Sequence, residues 1–419
     1  MSALRQRSRG FTLVELMVSL MGGLFISLAV FALAKDAGRF YQSETRIANA
    51  TVGGLLGFER LRTDIARAGL MSSPNINQDP TVCPLNPPNS GWPANLRKLA
   101  SIQVTQPLPI AALTANGRTP QQILIAGSFG SVDQYAAKPT ATGATTTFEL
   151  VLGPGAVMRL GNGTTPDDIT MQTVFPALHA LRIVQNGRAF YAQIVNASGG
   201  AKPTVVVNSQ PQIQMAGNGA ECGLTTGAGA SMPTINVVNF IQYDVRSLVT
   251  NAQTAVAQAT YAKMFQKESV APGEASRTEL VRVEQDITGA PIPGTEELVA
   301  EYAVDLNLQV TAMSGPSLNG IDPAPLATYT PSMAQFASYT GTTYGTANHP
   351  QWIRSVRVRL TVRSREGDRD SDVPNGAGNA LFRFNLGAGG GATDSFARTR
   401  TFQADVALHN QADILWPPP

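Results

Sequence analysis

The sequence predicts an α+β protein: a long N-terminal α-helix, apolar in its first half, packed on a β-rich, mainly antiparallel globular head. Three observations lead there. Residues 11–34 form a 24-residue apolar run with one charge, Glu15. From Arg39 to Gly69 there is no proline, and Leu55, Phe58, Leu61 and Ile65 recur at three- and four-residue spacing, one face of a helix. From about residue 71 onward the pattern changes to short apolar runs between loops rich in Gly, Pro, Asn and Thr.

The apolar run comes first. As a helix, 24 residues span about 36 Å at 1.5 Å per residue, enough to cross a bilayer. Arg5, Arg7 and Arg9 precede it, while Lys35 and Asp36 follow and cancel. The positive-inside rule places residues 1–10 in the cytoplasm and residues 36–419 on the far side of the membrane. A secretory signal peptide is one reading, since Ala32-Leu33-Ala34 resembles a small-residue cleavage site. A plain membrane anchor is another. Glu15 fits neither, because a carboxylate at membrane depth costs about 2.5–3.5 kcal/mol even on insertion scales.

Arg9-Gly10-Phe11-Thr12-Leu13-Val14-Glu15-Leu16 resembles the type IV pilin processing motif. The resemblance implies cleavage after Gly10, methylation of the new Phe11 amine and retention of the whole apolar segment. The electrostatics of the motif are readable. Cleavage turns an uncharged amide at Phe11 into an ammonium, and methylation keeps that charge. Glu15 lies four residues on, about one helical turn away. Its expected role is to pair with the Phe11 amine of its own chain or of a neighbour, so that processing creates the cation that Glu15 needs.

The apolar face through Leu55 and Ile65 continues the helix beyond the membrane, and Gly69 followed by Pro74 ends it. Residues 11–68, if continuous, measure roughly 87 Å. This is similar to the long pilin helix, half in a membrane or filament core and half against a head. Gly22-Gly23, Gly53-Gly54 and Gly57 interrupt it, either as points of bending and close helix contact or as tolerated small residues. The expected organisation is a leader at 1–10, a transmembrane and assembly helix at 11–34, an amphipathic continuation at 35–70, and a head at 71–419 with an inserted subdomain at about 71–235.

Within the head, Ile123–Ile125, Phe148–Leu152, Leu181–Val184, Val205–Val207 and Val237–Val245 read as strands. The clearest strand is Ile353–Arg363. Its Ile353, Val356, Val358, Leu360 and Val362 face one side, and Arg357, Arg359 and Arg363 the other. Those arginines read as a solvated strand face, with an anionic binding patch as the alternative. A closing strand, Arg400–Leu408, sets Phe402, Val406 and Leu408 on one face. The order Phe240–Val245, Glu297–Val310, Trp352–Leu360 and Val406–Asn410 resembles the PilW family of minor pilins, with His409 where that family often has arginine. Residues 71–235 carry no such likeness.

Charge and chemistry narrow the function further. The chain has 31 Lys and Arg against 29 Asp and Glu; removing residues 1–10 takes three arginines and leaves 28 against 29. No basic stripe interleaved with aromatics occurs, so nucleic-acid binding is not indicated. Cys83 and Cys222 match no metal-ligand spacing. Outside the cytoplasm they are expected to form a disulfide, the alternative being two free thiols. Asp368, Asp370 and Asp372 alternate like the first half of a calcium loop, but Val373 replaces its glycine and Asn379 its final glutamate. A hydrated acidic turn is the simpler reading. P-loop, G-x-S-x-G and H-E-x-x-H motifs are absent from the sequence. No catalysis and no cofactor are expected.

The resemblance implies a minor pilin that helps to start or cap a type IV pilus. Its partners would be other minor pilins, the major pilin, a tip adhesin, the prepilin peptidase/methylase and the inner-membrane assembly platform. It implies a single-pass inner-membrane protein with a periplasmic head, later incorporated in the pilus. A pseudopilin of a type II secretion system carries the same motif. A membrane-anchored hydrolase or binding module is the third class.

Overall fold

The computed structural model describes residues 12–83, 91–107, 109–142, 145–151, 165–208, 213, 222–226, 229–265, 277–314, 325–340, 349–365, 367, 369–370, 383–386, 395–412 and 414. One helix runs Leu13–Ala66. The chain divides into two compact units, residues 1–49 and 50–419. In the first unit every described side chain from Thr12 to Gly38 is exposed.

In the second unit the later turns of the helix bury one stripe. Phe58, Leu61, Ile65 and Ala68 share a core with Ile123, Ile125, Ile241, Tyr243, Leu306 and Val358. Phe58, Leu61 and Ile65 are inward, as the three- and four-residue spacing marks them, whereas Leu55, expected on the same face, is 45% exposed. Each large apolar side chain so buried contributes about 1.5–3 kcal/mol relative to exposure. Gly54 and Gly57 allow the close approach. A Cβ on Gly54 would stand 2.7 Å from the Phe402 ring, and one on Gly57 would stand 2.7 Å from the Val299 carbonyl oxygen. Gly22, Gly23 and Gly53 meet nothing within 4 Å, and the helix passes through all five glycines without a break.

The helix stops where the sequence predicts. Gly69 adopts φ +77°, a left-handed conformation that suits glycine at a helix C-terminus. Its N–H donates to the Ala126 carbonyl at 2.8 Å, and Ser128 N–H donates to the Leu70 carbonyl at 2.8 Å. The end of the helix is thereby fixed to the head.

The strands are β1 (Ile102–Thr105), β2 (Gln122–Gly127), β3 (Tyr135–Thr142), β4 (Thr145–Leu150), β5 (Ala180–Gln185), β6 (Arg188–Ser198), β7 (Thr204–Val207), β8 (Thr234–Arg246), β9 (Glu279–Gln285), β10 (Glu297–Ala300), β11 (Ala303–Met313), β12 (Leu326–Tyr329), β13 (Ile353–Arg363), β14 (Arg369–Asp370), β15 (Arg383–Asn385) and β16 (Ser395–Ala407). Every ladder between them is antiparallel. One sheet runs β12-β11-β13-β16, with β14 and β15 also on β16.

Strand β8 belongs to two surroundings. Its first half pairs with β5 and β3, Ile235 standing opposite both Ile183 and Tyr135. Continuing through β4, β7 and β6 back to β5, six strands close into a ring. Phe148, Phe190, Ile194, Val205 and Ile235 fill its interior. The second half of β8 pairs with β2 and β9, and β1 and β10 extend that sheet. There Ile241, Tyr243 and Val245 face the helix core, while Val238 and Phe240 join a second cluster with Leu96, Leu99 and Tyr191.

Cys83 and Cys222 form a disulfide, with Cα atoms 5.7 Å apart. Cys83 lies in the interior of the ring, so the bond ties the segment that follows the helix to the six strands.

Candidate functional site

The N-terminal segment is the site that the sequence singles out. Leu13–Gly38, 26 residues, is long and apolar enough to cross a membrane, its most apolar 18-residue stretch having mean hydropathy 2.4. At 1.5 Å per residue it measures about 39 Å, against a hydrocarbon core of about 30 Å. Its leucines, phenylalanines and methionines are all exposed, Phe25 at 74% and Phe31 at 72%. A helix that is apolar all round and uncovered by its own chain needs lipid or neighbouring helices around it.

Glu15 is not isolated at the start of this helix. The Thr12 N–H and the Thr12 hydroxyl both donate to Glu15 Oε2 at 3.0 Å. The Glu15 N–H in turn lies 3.3 Å from Thr12 Oγ1. This is a reciprocal capping box, in which two residues three apart satisfy each other's backbone donors. It also sets a negative charge at the positive end of the helix dipole. All the bonds go to Oε2; among the described residues Oε1 accepts none. The carboxylate therefore retains an oxygen for a further donor.

The sequence reading did not single out Thr12. Its signal is the spacing Thr12-Leu13-Val14-Glu15, the S/T-x-x-E pattern of a helix start. Gly10 and Phe11, the expected processing residues, lie outside the described residues. So do Asp368 and Asp372, and the side chain of Asp370. Among the described residues no group of three or more His, Cys, Asp or Glu side chains is arranged to hold a metal ion.

The arginines of β13 part company. Arg357 is exposed and paired with Asp405, Nε to Oδ1 at 2.8 Å. Arg359 reaches Asp305 at 3.1 Å. Arg363 departs from the expected solvated face: it is fully buried, its guanidinium stacked 5.0 Å from the Tyr302 ring centre and 5.4 Å from that of Phe384. Its Nη1 donates to the Ser364 and Arg365 carbonyls. Cation–π contact and these two carbonyls replace water around the charge.

A buried polar network secures the later turns of the helix. Asp64 accepts from the Tyr243 hydroxyl at 2.6 Å and from Arg282 Nε at 3.3 Å. Arg282 also pairs with Glu284 at 3.0 Å. Glu284 accepts from His179 Nε2 at 2.7 Å and from Asn239 Nδ2 at 3.0 Å. Burial alone would raise the Glu284 pKa, but the His179 hydrogen bond and the Arg282 charge hold it down at about 2. Burial, and next the charge on Asp64, push the Tyr243 phenol up.

Comparison with known proteins agrees with the N-terminal geometry. The family model for the prokaryotic N-terminal methylation motif matches residues 5–21. No curated protein and no solved structure matches the chain. A methylation motif that opens a long apolar helix, in a chain with an antiparallel β-rich head, supports a type IV pilin-like protein.

Proposed function

We propose that this protein is a minor pilin that helps to start or cap a type IV pilus, acting structurally, without catalysis or cofactor. The observation that carries the reading is the methylation motif at residues 5–21, joined to an exposed apolar helix and a large head. Cleavage after Gly10 and methylation of Phe11 produce a fixed cation. Glu15, already held through Oε2 by Thr12, offers Oε1 to the Phe11 amine of its own chain or of a neighbour. In a low-dielectric helix bundle that pair favours incorporation of processed subunits only.

The size of the head supports a place at an end. A head spanning residues 71–419 crowds a closely packed shaft but meets nothing above it at a tip. The partners are then other minor pilins, the major pilin, a tip adhesin, the prepilin peptidase/methylase and the inner-membrane assembly platform. The protein starts as a single-pass inner-membrane protein with its head in the periplasm.

A minor pseudopilin of a type II secretion system would carry the same motif. The pilus is favoured because the PilW-like segments fall on β8, β10, β11, β13 and β16, and β11, β13 and β16 pair side by side. Two measurements decide. Mass spectrometry of the mature amino terminus should find methylated Phe11; a terminus at Lys35 overturns the reading in favour of a secreted protein. Deletion should abolish surface pili; intact pili with failed exoprotein secretion would assign the chain to the secretion machinery.

A further inference from the structure

A cavity of about 510 Å³ opens where the ring of strands meets the sheet that holds the helix. Its walls come from five places, Tyr135 at the start of β3 among them. Arg67 stands just past the end of the helix, Ser128–Asp133 form the loop from β2 to β3, Thr173–Pro176 close the short helix Asp168–Val174, and Val237 and Asn239 lie on β8. Tyr135, Phe175 and Val237 make one side apolar. The volume lies within the ordinary range for small-molecule sites, roughly 300–1,000 Å³.

The walls are braced by hydrogen bonds among wall residues and to Phe129 and Glu284. The Ser128 hydroxyl donates to the Ser131 carbonyl, and the Ser131 hydroxyl donates to Asp133 Oδ2 at 2.8 Å. Asn239 is engaged at both ends of its amide, accepting from the Phe129 N–H at 3.4 Å and donating to Glu284. Arg67 is different. Its backbone N–H is held by the Thr63 and Asp64 carbonyls and the residue is half-buried, yet its guanidinium makes no ion pair and no hydrogen bond among the described residues. Asp133, the one carboxylate in the wall among the described residues, is already bonded to Ser131.

An arginine in a cavity wall, with no ion pair among the described residues, lacks the anion that would satisfy its forked donors. We propose that this cavity binds a small organic carboxylate, its carboxylate on Arg67 and its apolar body against Tyr135, Phe175 and Val237. The site is separate from the N-terminal segment, and its occupancy does not depend on the pilus reading.

The test is isothermal titration calorimetry of the detergent-solubilised full chain, blanked against empty micelles. The probes are 4-phenylbutyrate and its neutral counterpart 4-phenylbutyramide. Saturable binding of the acid and none of the amide is expected. Arg67→Gln should weaken the acid by roughly tenfold or more, the loss of a charge-assisted hydrogen bond. Gly130→Phe, at a wall position where a Cβ meets open space, should fill the cavity and abolish binding while leaving Arg67 in place. Equal binding of acid and amide, no saturable binding of the acid, or full affinity in either variant overturns the proposal. Should Arg67→Gln not fold, Gly130→Phe decides alone.

Discussion

The Val299 carbonyl oxygen lies 2.7 Å from where a Cβ on Gly57 would stand, so helix and β10 meet backbone to backbone. The same helix carries Gly53, whose Cβ position is open. The two glycines should therefore respond oppositely to alanine. Gly53→Ala should stabilise by about 0.5–1 kcal/mol through helix propensity. Gly57→Ala should destabilise by about 1–3 kcal/mol, the usual cost of overpacking. Chemical denaturation of the full chain in detergent, side by side, checks the sign of each.

Thr12 and Glu15 predict a second contrast. Thr12→Val keeps the side chain's shape and removes the hydroxyl, so the helix start should lose about 1 kcal/mol. Hydrogen exchange at the Leu13–Leu16 amides, followed in micelles, should quicken roughly fivefold on that scale. Glu15→Gln should lose less at these amides, because glutamine also closes a capping box. Equal protection in wild type and Thr12→Val would mean that the box does not hold the first turn.

The disulfide spans 139 residues of sequence, a long loop to close in the unfolded chain. Replacing both cysteines by serine should cost about 2–5 kcal/mol of stability. The effect should concentrate in the ring, whose interior holds Cys83. Limited proteolysis of the Cys83→Ser, Cys222→Ser variant should cut first within residues 135–238, ahead of the sheet around β13. First cleavage near β13 would contradict the placement.

Much of this fold is legible because its signals are local. The spacing of Phe58, Leu61 and Ile65 marks the buried helix face, though Leu55 at the same spacing is exposed, and the alternation in Ile353–Arg363 marks β13 at its observed bounds. What escapes reading depends on distant partners. The six-stranded ring closes through Tyr135 opposite Ile235 and Ile183 opposite the same residue, pairings that no local pattern encodes. Arg363 sits on the polar side of its strand by alternation, yet Tyr302 and Phe384 cover it there. Gly54 and Gly57 look like Gly22 and Gly23 until β10, β13 and β16 are placed against them. At the N-terminus the opposite occurs. The capping box is written in the spacing of Thr12 and Glu15, but a carboxylate in an apolar run reads first as a charge that needs a counter-ion.

Glu284 predicts how the head behaves in acid. Its ordinary pKa is 4.5 and its folded value is held at about 2, so the folded state binds its proton less readily than the unfolded chain. The stability that follows is present in full above about pH 4.5 and is lost as the pH falls towards 2. At full extent it is on the order of 3 kcal/mol, from the size of the shift. Glu284→Gln cannot titrate, so its denaturation midpoint should fall less steeply than that of wild type between pH 4.5 and 2. At pH 7 the same variant should be the less stable of the two, because His179 and Arg282 lose the carboxylate that both contact. Parallel acid limbs in the two proteins would show that the network around Asp64 and Tyr243 does not draw its acid sensitivity from this carboxylate.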